Sequence, residues 1–336
     1  MRALALTKNG NPFEIINIDE PQITKANQVK IKIYGTGICG GDLSDYLNPP
    51  TLNSSQLILG HEYSGEIVEL GAKATNFKVG DKVIAESSAG CEECFYCRNG
   101  YTNLCPDRKG ISGSFTDYIV VPERYVYRLP AETSLDLAIL SEPLACVLNG
   151  IEKTQLRAGD LTVVVGPGPL GILTAFLADL KGAAVILVGR SSSQKRLEIA
   201  HNKLNLEVIN SDLVDPGKYI KKINSYGADV VFGCAGSEKI IDFALKILKK
   251  GGSYTELGLF HGSKITIDFE KIVKKELKVT GAVSHRPDSW NRLLKLYKRN
   301  DLNELSKIIS SKYELKNWKT AFENLKERKD LKAVLY

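Results

Sequence analysis

Four cysteines stand within fifteen residues, Cys91, Cys94, Cys97 and Cys105, spaced C-x2-C-x2-C-x7-C. That is enough sulfur, close enough along the chain, to close a tetrahedral four-thiolate shell around zinc. The rest of the chain reads as an intracellular enzyme, a setting in which disulfides are rare, so the cluster is expected to hold metal rather than disulfides. A closed four-thiolate shell leaves no open position, and any chemistry must lie elsewhere. Cys39, Cys146 and Cys234 remain. Cys39 stands in Gly37-Ile-Cys-Gly-Gly-Asp42, a glycine-rich turn after a strand-like run. His61 and Glu62 stand in Gly60-His-Glu-Tyr-Ser-Gly65, another turn between strands, and Glu142 stands in Ser-Glu-Pro-Leu-Ala. A thiolate, an imidazole and a carboxylate from three separated segments can hold zinc and leave a fourth position open. Spacing alone also admits a buried cysteine and a core histidine.

A second constellation begins at Leu161. The apolar run 161–165 passes into Gly166-Pro-Gly168-Pro169-Leu170-Gly171 and a helical pattern. This is G-x-G-x-x-G in the strand–turn–helix setting that receives a dinucleotide pyrophosphate. Gly166 makes the tight turn, Gly168 lets the backbone approach the phosphates, and Gly171 lets the helix pack close to the strand. Pro169 and Leu170 open the helix, whose N-terminus faces the phosphates. After the second strand an NAD site usually carries Asp or Glu for the ribose 2′-hydroxyl. This chain has Gly189-Arg190-Ser191-Ser-Ser, with Lys195 and Arg196 close behind and no carboxylate. Arg190 can pair with a 2′-phosphate in a charge-assisted way, and Ser191 can donate as well, so NADP is expected over NAD.

The elements that must position these residues fall into two textures. Residues 1 to about 145 read as β-rich: 28–34, 63–70 and 82–85 show alternation or β-branched enrichment, 115–122 reads as another strand, and glycines punctuate them. From about 160, strands at 161–165, 184–188, 228–234 and 253–259 alternate with helices at 169–180, 193–204 and 239–249, which implies a doubly wound parallel sheet. The last fifty residues are helical and strand-like and cannot be assigned to either part by periodicity. The whole chain, 336 residues, 43% apolar and 25% charged, is long enough for two domains. Its first residues lack the apolar region of a signal peptide, and its apolar runs are too short to cross a bilayer, so the cytoplasm is the expected location. The net charge of +6 is modest and spread out. Lysine-rich stretches at 218–222, 246–250 and 271–278 are expected to be solvated faces, because no nucleic-acid motif accompanies them.

Taken in order, G-I-C-G-x-D, G-H-E-x-x-G, the four-cysteine lobe, G-S-F-T-D-Y-I-V-V-P, E-P-L-A and G-x-G-P-x-G resemble the zinc-dependent medium-chain alcohol dehydrogenases, and within them the polyol (sorbitol) dehydrogenase branch. The resemblance covers essentially the whole chain. It implies an α/β protein with a GroES-like β-rich catalytic domain over 1–145, carrying the four-cysteine structural zinc lobe. A Rossmann doubly wound parallel sheet over 146–282 would bind NADP, and 283–336 would return to the catalytic domain. Two zinc ions per chain are implied. Cys39, His61 and Glu142 would ligate the catalytic zinc, with Glu62 the ligand or near-ligand that exchanges with water. Cys91, Cys94, Cys97 and Cys105 would hold the structural zinc, and Asp42 would orient His61. The position of Arg190 carries an acidic residue in NAD users, which again points to NADP. One departure stands out. Many members carry Ser or Thr two residues after the zinc cysteine, to pass the substrate proton outward, and this chain has Gly41. Ser44, a cofactor ribose hydroxyl or water at Glu62 are the candidates to substitute.

The reaction so implied is reversible hydride transfer between the CH–OH group of an alcohol, polyol or sugar and NADP. Zinc would act as a Lewis acid on the hydroxyl, and the cofactor would carry the hydride. The partners expected are a small-molecule substrate and further copies of the chain, as a homodimer or homotetramer, with neither nucleic acid nor membrane. Three other readings compete. A zinc-independent NADPH reductase of quinones or activated alkenes would lack the zinc ligands. A non-catalytic NADPH-binding protein would have no use for them. A zinc-ribbon nucleic-acid binder would need a basic face where Glu92 and Glu93 stand. His201 and His261 are expected to be incidental, His285 to lie in a surface turn, and Cys146 and Cys234 to be small buried residues.

Overall fold

The run QVKIKIY, apolar at every second residue, is the start of a ten-residue strand, Gln28–Gly37, in the computed structural model of the chain. The residues described are 1–8, 13–52, 54–111, 113–260, 262 and 264–336, so His261 lies outside them. Val29 and Ile31 are fully buried and face a core shared with Tyr63, Ile67, Val83 and Val121. Around this strand the chain builds a mixed sheet. Glu62–Leu70, Tyr118–Pro122 and Lys332–Leu335 all pair with Gln28–Gly37 antiparallel, and Lys82–Ala85 follows Glu62–Leu70.

The chain divides into two compact units, Met1–Glu142 with Arg286–Tyr336, and Pro143–His285. The C-terminal residues that periodicity could not assign thus belong with the β-rich unit. The helix Trp318–Lys326 buries Phe322 completely, and its ring lies 5.6 Å from Phe13 and 5.2 Å from Tyr46, centroid to centroid. Tyr46 is carried by the helix Gly40–Leu47, and its hydroxyl donates to Glu323 Oε1 at 2.6 Å. Aromatic packing therefore fixes the helix that follows Cys39 against the C-terminal segment.

The second unit holds a six-stranded parallel sheet in the order Glu207–Asn210, Ala184–Gly189, Leu161–Val165, Ala228–Gly233, Leu248–Glu256 and Lys278–Gly281. Its central strands are apolar on both faces, as a sheet covered by helices on both sides requires. The strand order reverses at Leu161–Val165, which is where such sheets open a crevice for a ligand at their carboxyl ends.

Two elements differ from their sequence reading. The strand expected over 253–259 starts at Leu248 and ends at Glu256, and the helix before it stops at Ile247. Gly251 and Gly252 lie inside it, at a register irregularity opposite Ala228 and Val230; glycine in a strand commonly marks such a site. The strand expected over 115–122 begins at Tyr118, because the Phe115 backbone bonds Leu4 and Leu59 and Thr116 bridges Ala3 instead. Among the described residues no helix is long and apolar enough to cross a membrane.

Replacing Phe322 with Ala should destabilise the protein by about 3–5 kcal/mol, the range for an aromatic ring removed from a packed core. Urea unfolding measures it, and a loss under about 1 kcal/mol would show that the C-terminal helix is held by other contacts.

Candidate active site

Cys39 owes its place to a helix start. It is the N-cap of Gly40–Leu47, with extended backbone angles, and its Sγ accepts from the Gly41 N–H at 3.4 Å. Asp42 Oδ2 accepts from the Cys39 N–H at 2.8 Å in return. This is a reciprocal capping box with sulfur in the place of a hydroxyl. His61 follows Gly60, whose φ of +89° favours glycine and whose missing Cβ would meet the Phe115 ring at 2.8 Å. Glu62 opens the strand Glu62–Leu70 and stands opposite Gly37 in register.

The consequence is convergence. One ligand atom from each of Cys39, His61 and Glu62 lies within 4.8 Å of the others. A sulfur, an imidazole nitrogen and a carboxylate oxygen at that spacing form a donor set that suits zinc with a position left open. Asp42 is buried, and its Oδ1 lies 3.8 Å from His61 Nδ1. Burial raises the Asp42 carboxyl to about 6, against the charge of His61 and the Cys39 N–H. At His61 burial works downward, but the bond to Cys39 and the charges of Asp42, Cys39 and Glu142 outweigh it and hold the imidazole well above its ordinary value. Burial, then the charge of Glu62, pushes the Cys39 thiol up.

Glu142 is not part of the converging trio. It is buried and accepts from Ser87 Oγ at 3.2 Å, and the neighbouring Ser141 hydroxyl is tied to the Tyr297 hydroxyl at 2.8 Å. Ser44 is half-buried in the helix that Cys39 caps. At Gly41 a Cβ would meet only Cys39 Sγ, at 3.9 Å, so the absence of a hydroxyl-bearing residue there is not a matter of space.

Two polar groups were missed by sequence reasoning. Lys332, in an otherwise apolar strand, forms a buried ion pair with Glu62, the two side chains 2% and 3% exposed. Its Nζ also donates to the Ile38 carbonyl at 2.9 Å. A Cβ at residue 37 would strike Glu62 Oε2 at 2.5 Å and Lys332 Cε at 2.8 Å, so this pair requires glycine beside it. A lone lysine within the apolar run 331–335 was the available signal. Glu86, between the strand Lys82–Ala85 and the cysteine lobe, is also buried. Burial raises its carboxyl to about 7 although the Tyr127 hydroxyl donates to it at 2.6 Å.

The four-cysteine lobe forms a second donor set, with Sγ atoms of Cys91, Cys94, Cys97 and Cys105 mutually within 4.8 Å. Backbone N–H groups of Cys91, Cys94 and Cys97 point at sulfurs of the set, at 3.3 to 3.5 Å. N–H groups of Cys94 and Glu93 lower the Cys91 thiol to about 7. Four sulfurs with amide donors suit a thiolate-bound zinc with no open position. Gly90 is needed here, since a Cβ would lie 2.5 Å from Cys97 Sγ. Glu92 anchors the lobe by pairing with Arg124 and accepting from the Tyr125 hydroxyl at 2.9 Å.

In the second unit the glycine-rich turn lies at the carboxyl end of Leu161–Val165, at the switch point of the sheet. Gly166 has φ +110°. A Cβ on Gly171 would meet the Gly166 carbonyl at 1.9 Å, whereas one at Gly168 would meet nothing within 4 Å. Gly168, the N-cap of Pro169–Leu180, therefore leaves open the space a side chain would fill, and its amide end suits a pyrophosphate. Pro169 and Leu170 are the first two residues of that helix. Gly189 is the last residue of the next strand, packed under Pro167 and Leu197. Arg190 and Ser191 follow it exposed, and Lys195 is exposed in the first turn of Gln194–Leu204.

Other residues have local roles. Of the lysine-rich stretches, Lys221, Lys222, Lys246, Lys274 and Lys275 sit in the last turns of three helices, where cations complement the helix dipole. His201 Nδ1 bonds the Leu206 carbonyl at 3.1 Å. His285, expected in a surface turn, is 2% exposed. Cys146 and Cys234 are half-buried rather than buried.

Residues 25–131 match the family model for the alcohol dehydrogenase GroES-like domain, and residues 169–299 match that for zinc-binding dehydrogenase. A sorbitol dehydrogenase from Halalkalibacterium halodurans is 37% identical over 342 residues, covering 100% of this chain and 99% of that protein. A D-arabitol-phosphate dehydrogenase from Enterococcus avium is 34% identical, covering 95% of this chain and 92% of that protein. A solved structure from Sinorhizobium meliloti 1021, bound to NADP, is similar with a TM-score of 0.90 at 26% identity, covering 99% of this chain and 98% of that one.

Cys97→Ser should remove about one metal equivalent per chain and lower the melting temperature before it affects chemistry; unchanged melting with lost turnover would contradict a structural lobe. Lys332→Met, which leaves Glu62 buried without its counter-charge, should cost about 3–5 kcal/mol in chelator-treated protein. The double variant Lys332→Met with Glu62→Gln should recover most of that loss in urea unfolding, and no recovery would show that the pair is not the cause.

Proposed function

Since the chain belongs to the zinc-binding alcohol dehydrogenase family, in its polyol dehydrogenase branch, we propose that it transfers hydride reversibly between the CH–OH group of an alcohol, polyol or sugar and NADP. The observation that carries this reading is the convergence of Cys39, His61 and Glu62 into one three-atom donor set, separate from a closed set of four cysteines. In this reading Cys39, His61 and Glu62 hold a catalytic zinc, Glu142 adds a nearby carboxylate charge, and Cys91, Cys94, Cys97 and Cys105 hold a structural zinc. When bound, the catalytic zinc supplies Lewis-acid polarisation of the substrate oxygen, and the nicotinamide cofactor supplies the hydride acceptor.

The chain's own residues supply position and electrostatics. Asp42 fixes Cys39 through its backbone and faces His61 Nδ1 with its carboxyl, an orientation that would leave the other ring nitrogen available to hold zinc. Lys332 holds Glu62 by its charge and limits how far that carboxylate swings. With glycine at 41, the substrate proton leaves by another hydroxyl or by water, and Ser44 is the side chain of the same helix assigned that role. The unit Met1–Glu142 with Arg286–Tyr336 is the catalytic part in this reading, and Pro143–His285 is the cofactor part. The turn Gly166–Gly171 takes the pyrophosphate on its helix N-terminus. Arg190, Ser191 and Lys195, beyond Gly189, meet the adenosine ribose, and the cation there favours a 2′-phosphate.

A cytoplasmic homodimer or homotetramer completes the proposal. Seven free thiols support a reducing compartment. The edge strand Lys278–Gly281, with Val279 45% exposed, supports association with another copy.

Zinc-loaded protein assayed with NADP and NAD over a panel of polyols, sugars and simple alcohols should form NADPH on one substrate class and carry two zinc ions per chain. One zinc per chain and silence over the panel would favour the metal-free reductase instead. Cys39→Ala should abolish turnover, remove one zinc and leave NADPH binding intact; retained turnover would sink the assignment of the catalytic metal.

A further inference from the structure

The loop after Ala184–Gly189 is where a sheet of this kind meets the adenosine ribose, and its cation is already partnered. Arg190 Nε lies 3.5 Å from Asp212 Oδ1, and the other carboxylate oxygen of Asp212 accepts from the Ser191 N–H at 2.9 Å. Asp212 stands just beyond the neighbouring strand Glu207–Asn210, whose Asn210 is in register with Gly189. Asn210 reinforces the join. Its amide donates to Ser191 Oγ at 3.2 Å and to Gln194 Oε1 at 2.9 Å, and its Oδ1 accepts from the Asp212 N–H at 3.1 Å. The Ser191 N–H, more than the charge of Arg190, holds the Asp212 carboxyl below its ordinary range, so it is an anion at neutral pH.

An exposed arginine–carboxylate pair by itself contributes little. This carboxylate is different in accepting from the Ser191 N–H while Asn210 Oδ1 holds the Asp212 backbone N–H, so it stays in place whether or not Arg190 turns toward a ligand. Its charge has unequal effects on the two dinucleotides. A phosphomonoester brings about −1.5 to −2 charges at pH 7, while a 2′-hydroxyl brings none.

We propose that Asp212 is a specificity-determining residue: it holds the loop that presents Arg190, and its negative charge narrows the preference for a 2′-phosphorylated dinucleotide, so that NAD remains an acceptable cofactor. This inference rests on Arg190 as the partner of the 2′-phosphate. The sequence at the end of the second strand lacks a carboxylate, and the fold returns one from the next strand.

The test is calorimetric titration of the full chain with adenosine 2′,5′-bisphosphate and, separately, with adenosine 5′-monophosphate. Wild type, Asp212→Asn and Arg190→Ala are compared at low and high salt. Asparagine keeps an oxygen for the Ser191 N–H and removes the charge. Asp212→Asn should tighten the bisphosphate about tenfold, change the monophosphate less than twofold, and lose most of its gain in about 0.5 M salt. Arg190→Ala should weaken the bisphosphate alone. If Arg190→Ala weakens it and Asp212→Asn does not tighten it, the role of Asp212 is overturned while NADP recognition by Arg190 stands. If Arg190→Ala leaves the bisphosphate unaffected, the reading of Arg190 fails and takes this inference with it.

Discussion

The contact on which the β-rich unit depends is the buried ion pair of Lys332 and Glu62. Removing both charges from water is costly, and such a pair is poor evidence of net stability. What it does is restrict arrangement. The two residues come from strands on opposite flanks of Gln28–Gly37, and they meet at Gly37, where there is no side chain. A one-residue slip in either pairing would turn one partner to the other face of the sheet and leave a buried charge alone. Register, glycine and ion pair thus specify one another, and Glu62 is delivered beside Cys39 and His61 as a result.

Cys39 is fixed by a different device of the same kind. The capping box uses the sulfur and the Asp42 carboxyl to satisfy backbone donors at a helix start. The aromatic cluster of Phe13, Tyr46 and Phe322 then locks that helix against the C-terminal one. Each member of the trio is therefore held by backbone geometry and packing without help from an ion, which is the preorganisation that the proposed metal site would need. The four-cysteine lobe has little core of its own, with only Asn103 and Cys105 buried over residues 91–110, and there the metal must supply what packing does not.

The parts of the site that were legible in the sequence are those built from short segments. Spacing within Cys91–Cys105 and Gly166–Gly171 reports local backbone geometry, and local geometry needs no knowledge of the rest of the fold. The trio of Cys39, His61 and Glu142 was harder, because nothing in the spacing of three distant segments ranks Glu142 against Glu62, and the sheet register brings Glu62 nearer. Lys332 left only the trace of one charge in an apolar run, and the pairing of Asp212 left none. Lys332 reaches its partner across 270 positions of sequence, and Asp212 reaches Arg190 only because parallel strands align Gly189 with Asn210. His285 shows the same limit, since a histidine before Arg-Pro looks like a turn until burial is known. The early start of the strand at Leu248 was hidden by two glycines and two lysines, which read as a loop.

The discontinuity of the first unit imposes an order on biosynthesis. Residues Pro143–His285 form a continuous segment with its own sheet and core, so this unit can collapse as soon as it has left the ribosome. The unit with Cys39, His61 and Glu62 cannot. Its last strand, with Lys332, is translated after all of the other unit, seconds later at about 5–20 residues per second. Until then Glu62 lacks its ammonium partner, and one flank of Gln28–Gly37 lacks its neighbour and stays an open sheet edge. The half-made unit thus keeps that sheet edge unpaired until the last strand arrives.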